Sequence, residues 1–354
     1  MIGKLLSYDP PKSRVLGVVL AIIVLGLALA PFLFPGAAAI NTAAKICIFI
    51  VLVASYDILI GYTGIVSFAQ TMFFGIGGYG VGLSLYFLGP TWPVLALGIV
   101  IALILGVALA FVIGLVSLRV KAIFFAMITL AVASAFLILA TQLSELTGGE
   151  DGRTFRVPEL LRPGTKLLEA PLFGLEITGR IAAYYLVFLA ALALFLVALR
   201  LVNSCFGRVL QAIRENESRA EALGYRVVYY RTLASCLSAA LAVCAGVLSA
   251  IWLRYTGPET TLSFAIMLDV LLMVVIGGMG TLYGAVIGAS LFILAQNYLQ
   301  KLMGVASAAT EGFPLLPRLL HPDRWLLLLG VLFVLSVYFF PTGIVGRLTQ
   351  RARK

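Results

Sequence analysis

The chain has 354 residues, of which 62% are hydrophobic and 11% charged, and its mean hydropathy is +1.10. These values exclude an ordinary soluble domain, and apolar runs of about 20 residues recur, each long enough to cross a hydrocarbon core roughly 30 Å thick. The alternating pattern of an outer-membrane barrel does not occur in the sequence. The formal charge of +10 comes from Lys and Arg residues between apolar runs, which is typical of the positive-inside rule and argues against nucleic-acid binding.

Ten apolar segments predict the fold class: an all-α, polytopic bundle of transmembrane helices in one domain, residues 1–354. Helices are expected because each backbone polar group inside lipid must find its partner within the protein. Eight spans with two re-entrant segments would fit the same pattern. The ten segments are Val15–Phe34, Ile40–Ile60, Val66–Leu88, Pro93–Ser117, Ile123–Leu143, Ala182–Val202, Thr232–Tyr255, Leu262–Ile276, Leu282–Leu302 and Trp325–Val345.

The basic residues set the predicted orientation, because Lys and Arg are enriched in cytoplasmic loops. Arg119 and Lys121, the loop 203–231 and the basic tail from Arg347 onward all fall on one side when the chain has ten spans. Both termini are therefore predicted to be cytoplasmic, and the polar stretch 144–180 is predicted to be a periplasmic loop. The first apolar run exceeds the roughly 7–15 residues of a signal-peptide core, which favours a retained span.

The loop 203–231 is a charged island between two apolar segments, and its periodicity predicts one amphipathic helix from Arg208 to Leu223. Gly224 follows at the position where a glycine commonly ends a helix. The apolar face of this helix comprises Val209, Ala212, Ile213, Ala220 and Leu223. Such a surface either docks a partner protein outside the bilayer or lies on the lipid headgroups.

Two glycine-rich stretches, one in each half of the chain, differ from ordinary spans. Residues 61–82 contain seven glycines, and residues 275–289 contain five. Interrupted helices at corresponding places in two halves are typical of a transporter's substrate region, although close helix packing also favours glycine. The predicted translocation pathway comprises Asp57, Ser67, Gln70, Thr71, Gly75, Gly77, Gly78, Asp269, Gly277, Gly278 and Gly280.

Charged side chains within the apolar segments are few. Lys45 and Asp57 lie near opposite ends of the second segment, twelve residues apart, so they cannot pair with each other along one helix. Asp269 lies mid-segment, where a charge costs roughly 2.5–3.5 kcal/mol on insertion scales. It requires a partner, a proton or a wet cavity, so a pathway role and a structural hydrogen bond both stay open. Gln296 and Asn297 end a span, which predicts solvation at the membrane interface.

No catalytic or metal-binding pattern occurs in the sequence. It lacks a G-x-x-x-x-G-K-[ST] phosphate loop, H-E-x-x-H and G-x-S-x-G, and its one histidine, His321, lies in a polar loop. The four cysteines lie in or beside apolar runs without CxxC spacing. The chain is therefore predicted not to be an enzyme and to bind no cofactor or metal itself.

Several stretches together resemble one family, the LivM-type permease subunits of branched-chain amino acid ABC importers. The stretches read GYTGIVSFAQTMFFGIGGYG, LTGGEDG, GRVLQAIRENESRAEALG, MVVIGGMGTLYGAVIGA and FPTGIVG, in that order. They extend from Gly61 to Gly346 and so cover most of the chain. Their order and spacing carry the resemblance, since each glycine run alone is a weak signal.

The resemblance implies a multi-pass permease of the bacterial inner membrane that pairs with a second, LivH-type permease. It also implies two cytoplasmic ATPases, which use ATP and Mg, and a periplasmic substrate-binding protein. The family's ATPase-contacting segment corresponds to Arg208–Gly224. The ATPase-coupling residues expected from it are Arg208, Ala212, Ile213, Glu217, Ala220, Glu221, Ala222, Leu223 and Gly224.

Two departures from the usual sequence of this family leave the substrate open. The chain carries Gln70 and Asp57 where members of the family commonly carry histidine and asparagine. The substrate would then be a branched-chain or related amino acid, or a small solute such as urea, an amide or an aromatic acid. The rival hypothesis is an ion-coupled secondary transporter with Asp57 or Asp269 as its coupling site.

Overall fold

A computed structural model describes residues 13–34, 36–117, 122–165, 178–309, 324–339 and 343–351 of the chain. It confirms an all-α, polytopic bundle. Its helices are α1 (Arg14–Leu33), α2 (Ala37–Asp57), α3 (Gln70–Leu88), α4 (Trp92–Ser117), α5 (Ala122–Gln142), α6 (Ser144–Thr147), α7 (Gly179–Val202), α8 (Cys205–Glu215), α9 (Glu217–Ala222), α10 (Val227–Leu253), α11 (Pro258–Thr261), α12 (Phe264–Gly277), α13 (Leu282–Ala309), α14 (Trp325–Phe339) and α15 (Gly343–Arg351).

Within the described residues, nine helical stretches are long and apolar enough to cross a membrane. The predicted tenth segment, Trp325–Val345, contains the shorter apolar helix α14 of 15 residues and the start of the separate helix α15. Arg119, Lys121, His321 and residues 166–177 of the predicted periplasmic loop lie outside the described residues. A total of ten spans and the sidedness of the termini stay predictions.

The centre of the bundle consists of α2 and α10, the two most buried of the described spans. Small residues explain how α10 fits there, because alanine, serine and glycine let neighbouring helices approach closely in lipid. Ala239, Ala242 and Ala245 are fully buried along this helix, whereas α4 and α5 expose large apolar side chains such as Ile104 and Met127. The peripheral helices therefore present apolar surface to lipid or to another membrane subunit.

A close contact of two helix backbones joins α3 to α10. A Cβ atom placed on Gly77 would lie 2.0 Å from the carbonyl oxygen of Val243, and one placed on Gly246 would lie 1.9 Å from that of Phe74. Neither position has room for a side chain, since the neighbouring atoms belong to a backbone that cannot rotate away. Close packing against α10 therefore explains why position 77 is a glycine.

A short pair of antiparallel strands lies on one side of the bundle. Strand β1 (Arg153–Thr154) pairs antiparallel with β2 (Tyr255–Thr256), which follows α10 directly. The Tyr255 hydroxyl also donates to the carbonyl oxygen of Asp151 at 2.9 Å. These bonds attach the polar segment after α5 to the end of α10, on the side predicted to be periplasmic.

The opposite side of the bundle brings both ends of the described chain together. Leu16 of α1, Ile287 of α13 and Val345 of α15 form a small buried apolar cluster. Gly343, which begins α15, packs against the backbone of Gly278: a Cβ atom on Gly343 would lie 2.2 Å from the Gly278 Cα. The ends of the described chain thus lie on one face, next to the turn that connects α12 with α13.

We expect Gly77→Ala to destabilise the protein by about 1–3 kcal/mol, because the added methyl group overlaps the α10 backbone. Gly26→Ala is the matched control, since a Cβ atom at Gly26 of α1 has no atom within 4 Å. Unfolding of both purified variants in detergent, followed by denaturant titration, measures the difference. Equal stability of the two variants would contradict the tight α3–α10 contact.

Candidate functional site

The loop predicted to contact an ATPase forms two helices, α8 and α9, and the predicted single helix from Arg208 to Leu223 is wrong. The chain breaks at Asn216, whose backbone is extended with φ −158° and ψ 100°. The Asn216 side chain accepts a hydrogen bond from the Arg219 N–H at 2.9 Å. Asparagine in this position caps a new helix and satisfies one of its free N–H groups, so the break replaces helical bonds with a cap.

The predicted apolar face of this loop is divided by the break. Ile213 and Ala220 are 1% and 3% exposed, and they pack with Val227 of α10 in a small cluster. Leu223, expected on the same face, is 72% exposed, and Ala212 is exposed as well. Half of the stripe thus fixes the loop to its own bundle, and the other half faces outward.

An ion pair and a glycine with positive φ lie at the end of this loop. Arg231 contacts both carboxylate oxygens of Glu217, at 2.7 and 3.0 Å. Gly224 has φ +91°, as predicted for a glycine that ends a helix. The other predicted coupling residues are solvent-exposed: Arg208, Ala212, Glu221, Ala222 and Leu223.

The two halves of the chain meet at Asp57, the last residue of α2, on the side predicted to be cytoplasmic. Its side chain is buried, and its Oδ1 accepts a hydrogen bond from the Gly280 N–H at 2.8 Å. Gly280 lies in the turn between α12 and α13, with φ +82°. The Oδ2 atom of Asp57 has no hydrogen-bond partner among the described residues. We name Asp57, Gly61, Gly280 and Arg214 the inner junction.

Gly61 permits the close approach at the inner junction. It lies in a π-helical turn, Ile58–Thr63, that continues α2. A Cβ atom on Gly61 would lie 2.4 Å from the Gly280 nitrogen and 2.1 Å from the Asp57 Oδ1. Arg214, from α8, donates a hydrogen bond to the Gly61 carbonyl oxygen. The guanidinium thus connects the loop predicted to contact an ATPase with the point where the two halves of the bundle meet.

The second glycine-rich stretch contains the helix break that its composition predicts. The chain leaves α12 at Gly277, and Gly278 and Gly280 both have positive φ, 115° and 82°. Gly277 packs on α13, where a Cβ atom would lie 2.1 Å from the Gly284 carbonyl oxygen. In the first stretch the break precedes the glycine run, since α3 is a regular helix from Gln70 onward.

Gln70 lies in a buried polar cluster between α2, α3 and α10. Its Nε2 donates to the Ser55 Oγ at 2.7 Å and to the Ser238 Oγ at 3.0 Å, while Ser238 donates to the Ser55 carbonyl oxygen at 2.6 Å. All three residues are at most 1% exposed. The cluster connects α2, α3 and α10 through polar side chains. A hydropathy pattern alone does not show that these side chains contact one another.

The remaining predicted pathway residues of the first stretch are buried at helix contacts. Ser67 accepts a hydrogen bond from the Ala69 N–H at 3.3 Å, and Thr71 is 2% exposed. Cβ atoms on Gly75 and Gly78 would meet, respectively, the side chain of Leu262 at 2.2 Å and two threonine methyl groups at 3.3 Å. A pathway role for these residues stays a prediction.

A second polar row joins α2, α12 and α13 and contains the predicted residue Asp269. The Lys45 Nζ donates to the Gln296 Oε1 at 2.9 Å, and the Gln296 Nε2 donates to the Asp269 Oδ2 at 3.4 Å. We name Lys45, Gln296 and Asp269 the outer row. Gln296, predicted to be solvated at the interface, is partly exposed, and its side chain also bridges two charges from α2 and α12.

Sequence reasoning missed two contacts that define these sites. The bond from Arg214 to Gly61 joins residues 153 positions apart, and helical periodicity alone predicts no such contact. Gln296 bonds Lys45 across 251 positions. One signal in the sequence could have indicated the second contact. Lys45 and Asp269 are charges within membrane segments and need polar partners, and a polar residue elsewhere in the bundle can supply them.

Comparison with known proteins decides the family. A family model described as "Branched-chain amino acid transport system / permease component" matches residues 38–337. The chain belongs to this family. The permease is similar to the high-affinity branched-chain amino acid transport system permease protein LivM of Escherichia coli, with 27% identity over 324 residues, covering 86% of the chain and 69% of that protein. The resemblance to LivM-type permeases is thereby confirmed.

Two further relatives extend the comparison. A protein of Methanocaldococcus jannaschii described as "Probable branched-chain amino acid transport permease protein LivM" is 28% identical, covering 82% of the permease and 88% of that protein. The LivH permease of Salmonella typhimurium is 27% identical over 298 residues, covering 82% and 89%. No solved structure matches the chain significantly.

We expect Asp57→Leu to lower the free energy of unfolding by about 1–3 kcal/mol, because the buried Gly280 N–H loses its acceptor. Asp57→Asn retains an oxygen at the same place and should stay within about 1 kcal/mol of the original protein. Denaturant titration of both variants in detergent provides the measurement. If asparagine and leucine are equally disruptive, the bond to Gly280 does not hold the junction.

Proposed function

We propose that the permease is the membrane subunit of an ABC importer in a bacterial inner membrane. It pairs with a second, LivH-type permease, receives solute from a periplasmic binding protein, and is driven by two cytoplasmic ATPases that use ATP and Mg. The relatives' names favour branched-chain amino acids as substrates. The observation that carries the proposal is the bond from Arg214 to Gly61, since it connects an exposed loop to the meeting point of both halves.

The proposed ATPase contact is the outward half of the α8–α9 loop. Leu223 is 72% exposed beyond the membrane spans, and Tyr225 and Tyr229 are 38% and 61% exposed close by in sequence. Exposed apolar and aromatic side chains at the rim of a charged loop are typical of protein interfaces. Lipid headgroups are the competing surface for this loop, but a helix lying on lipid would not need an arginine anchored in the bundle.

The proposed mechanism is alternating access driven from the cytoplasm. ATP-dependent movement of a partner ATPase displaces α8, and Arg214 transmits that displacement to Gly61 and so to the inner end of α2. Because Asp57 bonds Gly280, the turn between α12 and α13 moves with it. The inner junction thereby opens or closes one side of the bundle, while the glycine contacts between α3 and α10 keep the centre rigid.

The source of energy separates this proposal from ion-coupled transport. We expect uptake of radiolabelled L-leucine into proteoliposomes only when the permeases, both ATPases, the binding protein and ATP are present. An imposed proton or sodium gradient alone should give no uptake above liposomes without protein. Uptake driven by the gradient without ATP would contradict the importer and favour Asp57 or Asp269 as a coupling site.

Arg214 should be required for coupling. We expect Arg214→Gln to reduce uptake at least about tenfold, which corresponds to losing one charge-assisted hydrogen bond of roughly 1.5–3 kcal/mol, while ATPases still co-purify and hydrolyse ATP. Arg219→Gln is the matched control, since Arg219 lies on the same loop and is exposed. Original uptake in the Arg214 variant, or equal loss in both variants, would show that Arg214 transmits nothing specific.

A further inference from the structure

The outer row places two opposite charges on the same face of the bundle. Lys45 of α2, Gln296 of α13 and Asp269 of α12 are each partly exposed within spans of the bundle. The Gln296 amide lies between the two charges and hydrogen-bonds both Lys45 and Asp269. Lipid solvates such groups poorly, so charged side chains within spans generally face a bundle interior or a water-filled cavity. This face therefore borders a wet space or another subunit.

A polar cavity adjoins the row. It has a volume of about 320 Å³ and is lined by Ala38, Asn41, Thr42, Lys45, Asn297 and Tyr298. That volume falls within the range of about 300–1,000 Å³ found for small-molecule sites. At its edge, Arg180 of α7 donates to the Asn41 Oδ1 at 3.1 Å. The cavity thus combines one ammonium group with amide and hydroxyl groups.

The Gln296 amide presents an acceptor to Lys45 and a donor to Asp269. Its oxygen accepts from the Lys45 ammonium at 2.9 Å, and its nitrogen donates toward the Asp269 carboxylate at 3.4 Å. A solute with a carboxylate at one end and an ammonium group at the other presents the same acceptor and donor to the same two partners. Because both of its ends are charged, it forms an ion pair with each partner, whereas the neutral amide makes hydrogen bonds in which only the partner is charged.

We propose that Lys45 and Asp269 form a recognition site for zwitterionic α-amino acids, with the Gln296 side chain as an internal stand-in that the solute displaces. The carboxylate of the solute binds Lys45 from the cavity, and its ammonium group binds Asp269 once the Gln296 amide moves away. The inference rests on the proposed import function and assigns residues to the recognition of its substrate. A monoanion such as an aromatic acid is disfavoured by Asp269, and urea or an amide forms no ion pair with either residue.

The test measures equilibrium binding of radiolabelled L-leucine to the complete permease–ATPase complex in lipid nanodiscs, without the binding protein. Three competitors keep the apolar part of leucine: 4-methylpentanoate lacks the ammonium group, isopentylamine lacks the carboxylate, and 4-methylpentanamide is neutral. We expect unlabelled leucine to displace the label at least about tenfold more effectively than each competitor, as expected when one charge-assisted bond is lost.

The variants separate recognition from structure. Lys45→Gln and Asp269→Asn should each weaken leucine binding at least about tenfold. Gln296→Leu removes the internal competitor, so leucine should bind as tightly as before or more tightly. Ser290→Ala, on the same helix α13, is the matched control and should leave binding unchanged. Size-exclusion chromatography of each complex verifies assembly before binding is measured.

Several results would overturn the inference. They are equal competition by the amide or the carboxylate, original affinity in the Lys45 and Asp269 variants, and a loss in Gln296→Leu as large as in those two. The last result would identify the row as a structural hydrogen-bond chain. A complex that imports leucine with ATP and binding protein but binds none by itself would also overturn it, and the importer proposal would stand. Loss of ATP-dependent import in the unmodified complex would instead refute the importer.

Discussion

Inside a hydrocarbon layer, each polar atom must find its partner in the protein, because lipid offers no hydrogen bonds. This constraint governs the inner junction, where two helices are interrupted and their backbone N–H and C=O groups would otherwise have no hydrogen-bond partner. The Gly280 N–H is satisfied by Asp57, and the Gly61 carbonyl oxygen is satisfied by Arg214. The side chains that complete the broken helices come from different parts of the chain, so the breaks also hold the two halves together.

The inner junction is compact because glycine occupies both sides of the contact. A methyl group on Gly61 would overlap the Gly280 backbone, and Gly280 has a backbone conformation that other residues rarely adopt. Direct backbone contact leaves no room for water or flexible side chains, so displacement of one element displaces the other. The tight contact of Gly77 and Gly246 at the centre has the same consequence for α3 and α10, since it resists their relative movement.

Polar side chains in the bundle fall into two groups with different surroundings. Gln70 lies in a fully buried cluster with Ser55 and Ser238, where the polar groups fix the arrangement of three helices. Lys45 and Asp269, by contrast, are partly exposed and are bridged by the Gln296 amide, and Lys45 also lines a polar cavity. Burial therefore distinguishes the cluster around Gln70, which is closed to solvent, from the outer row, which is partly exposed, although both consist of polar residues in apolar segments.

The sequence by itself determined the membrane class, the helical architecture, most segment bounds and the family, because hydropathy and motif order are local properties of the chain. It also located Gly224 and the helix break after Gly277, since glycine's freedom at positive φ is a property of one residue. The break of the loop 203–231 at Asn216 is a local cap that helical periodicity does not predict. Only the tertiary structure decided that Arg214 reaches Gly61 and that Gln296 bridges Lys45 and Asp269. These contacts join residues far apart in sequence, and a hydropathy pattern contains no information about which helices become neighbours when the bundle packs.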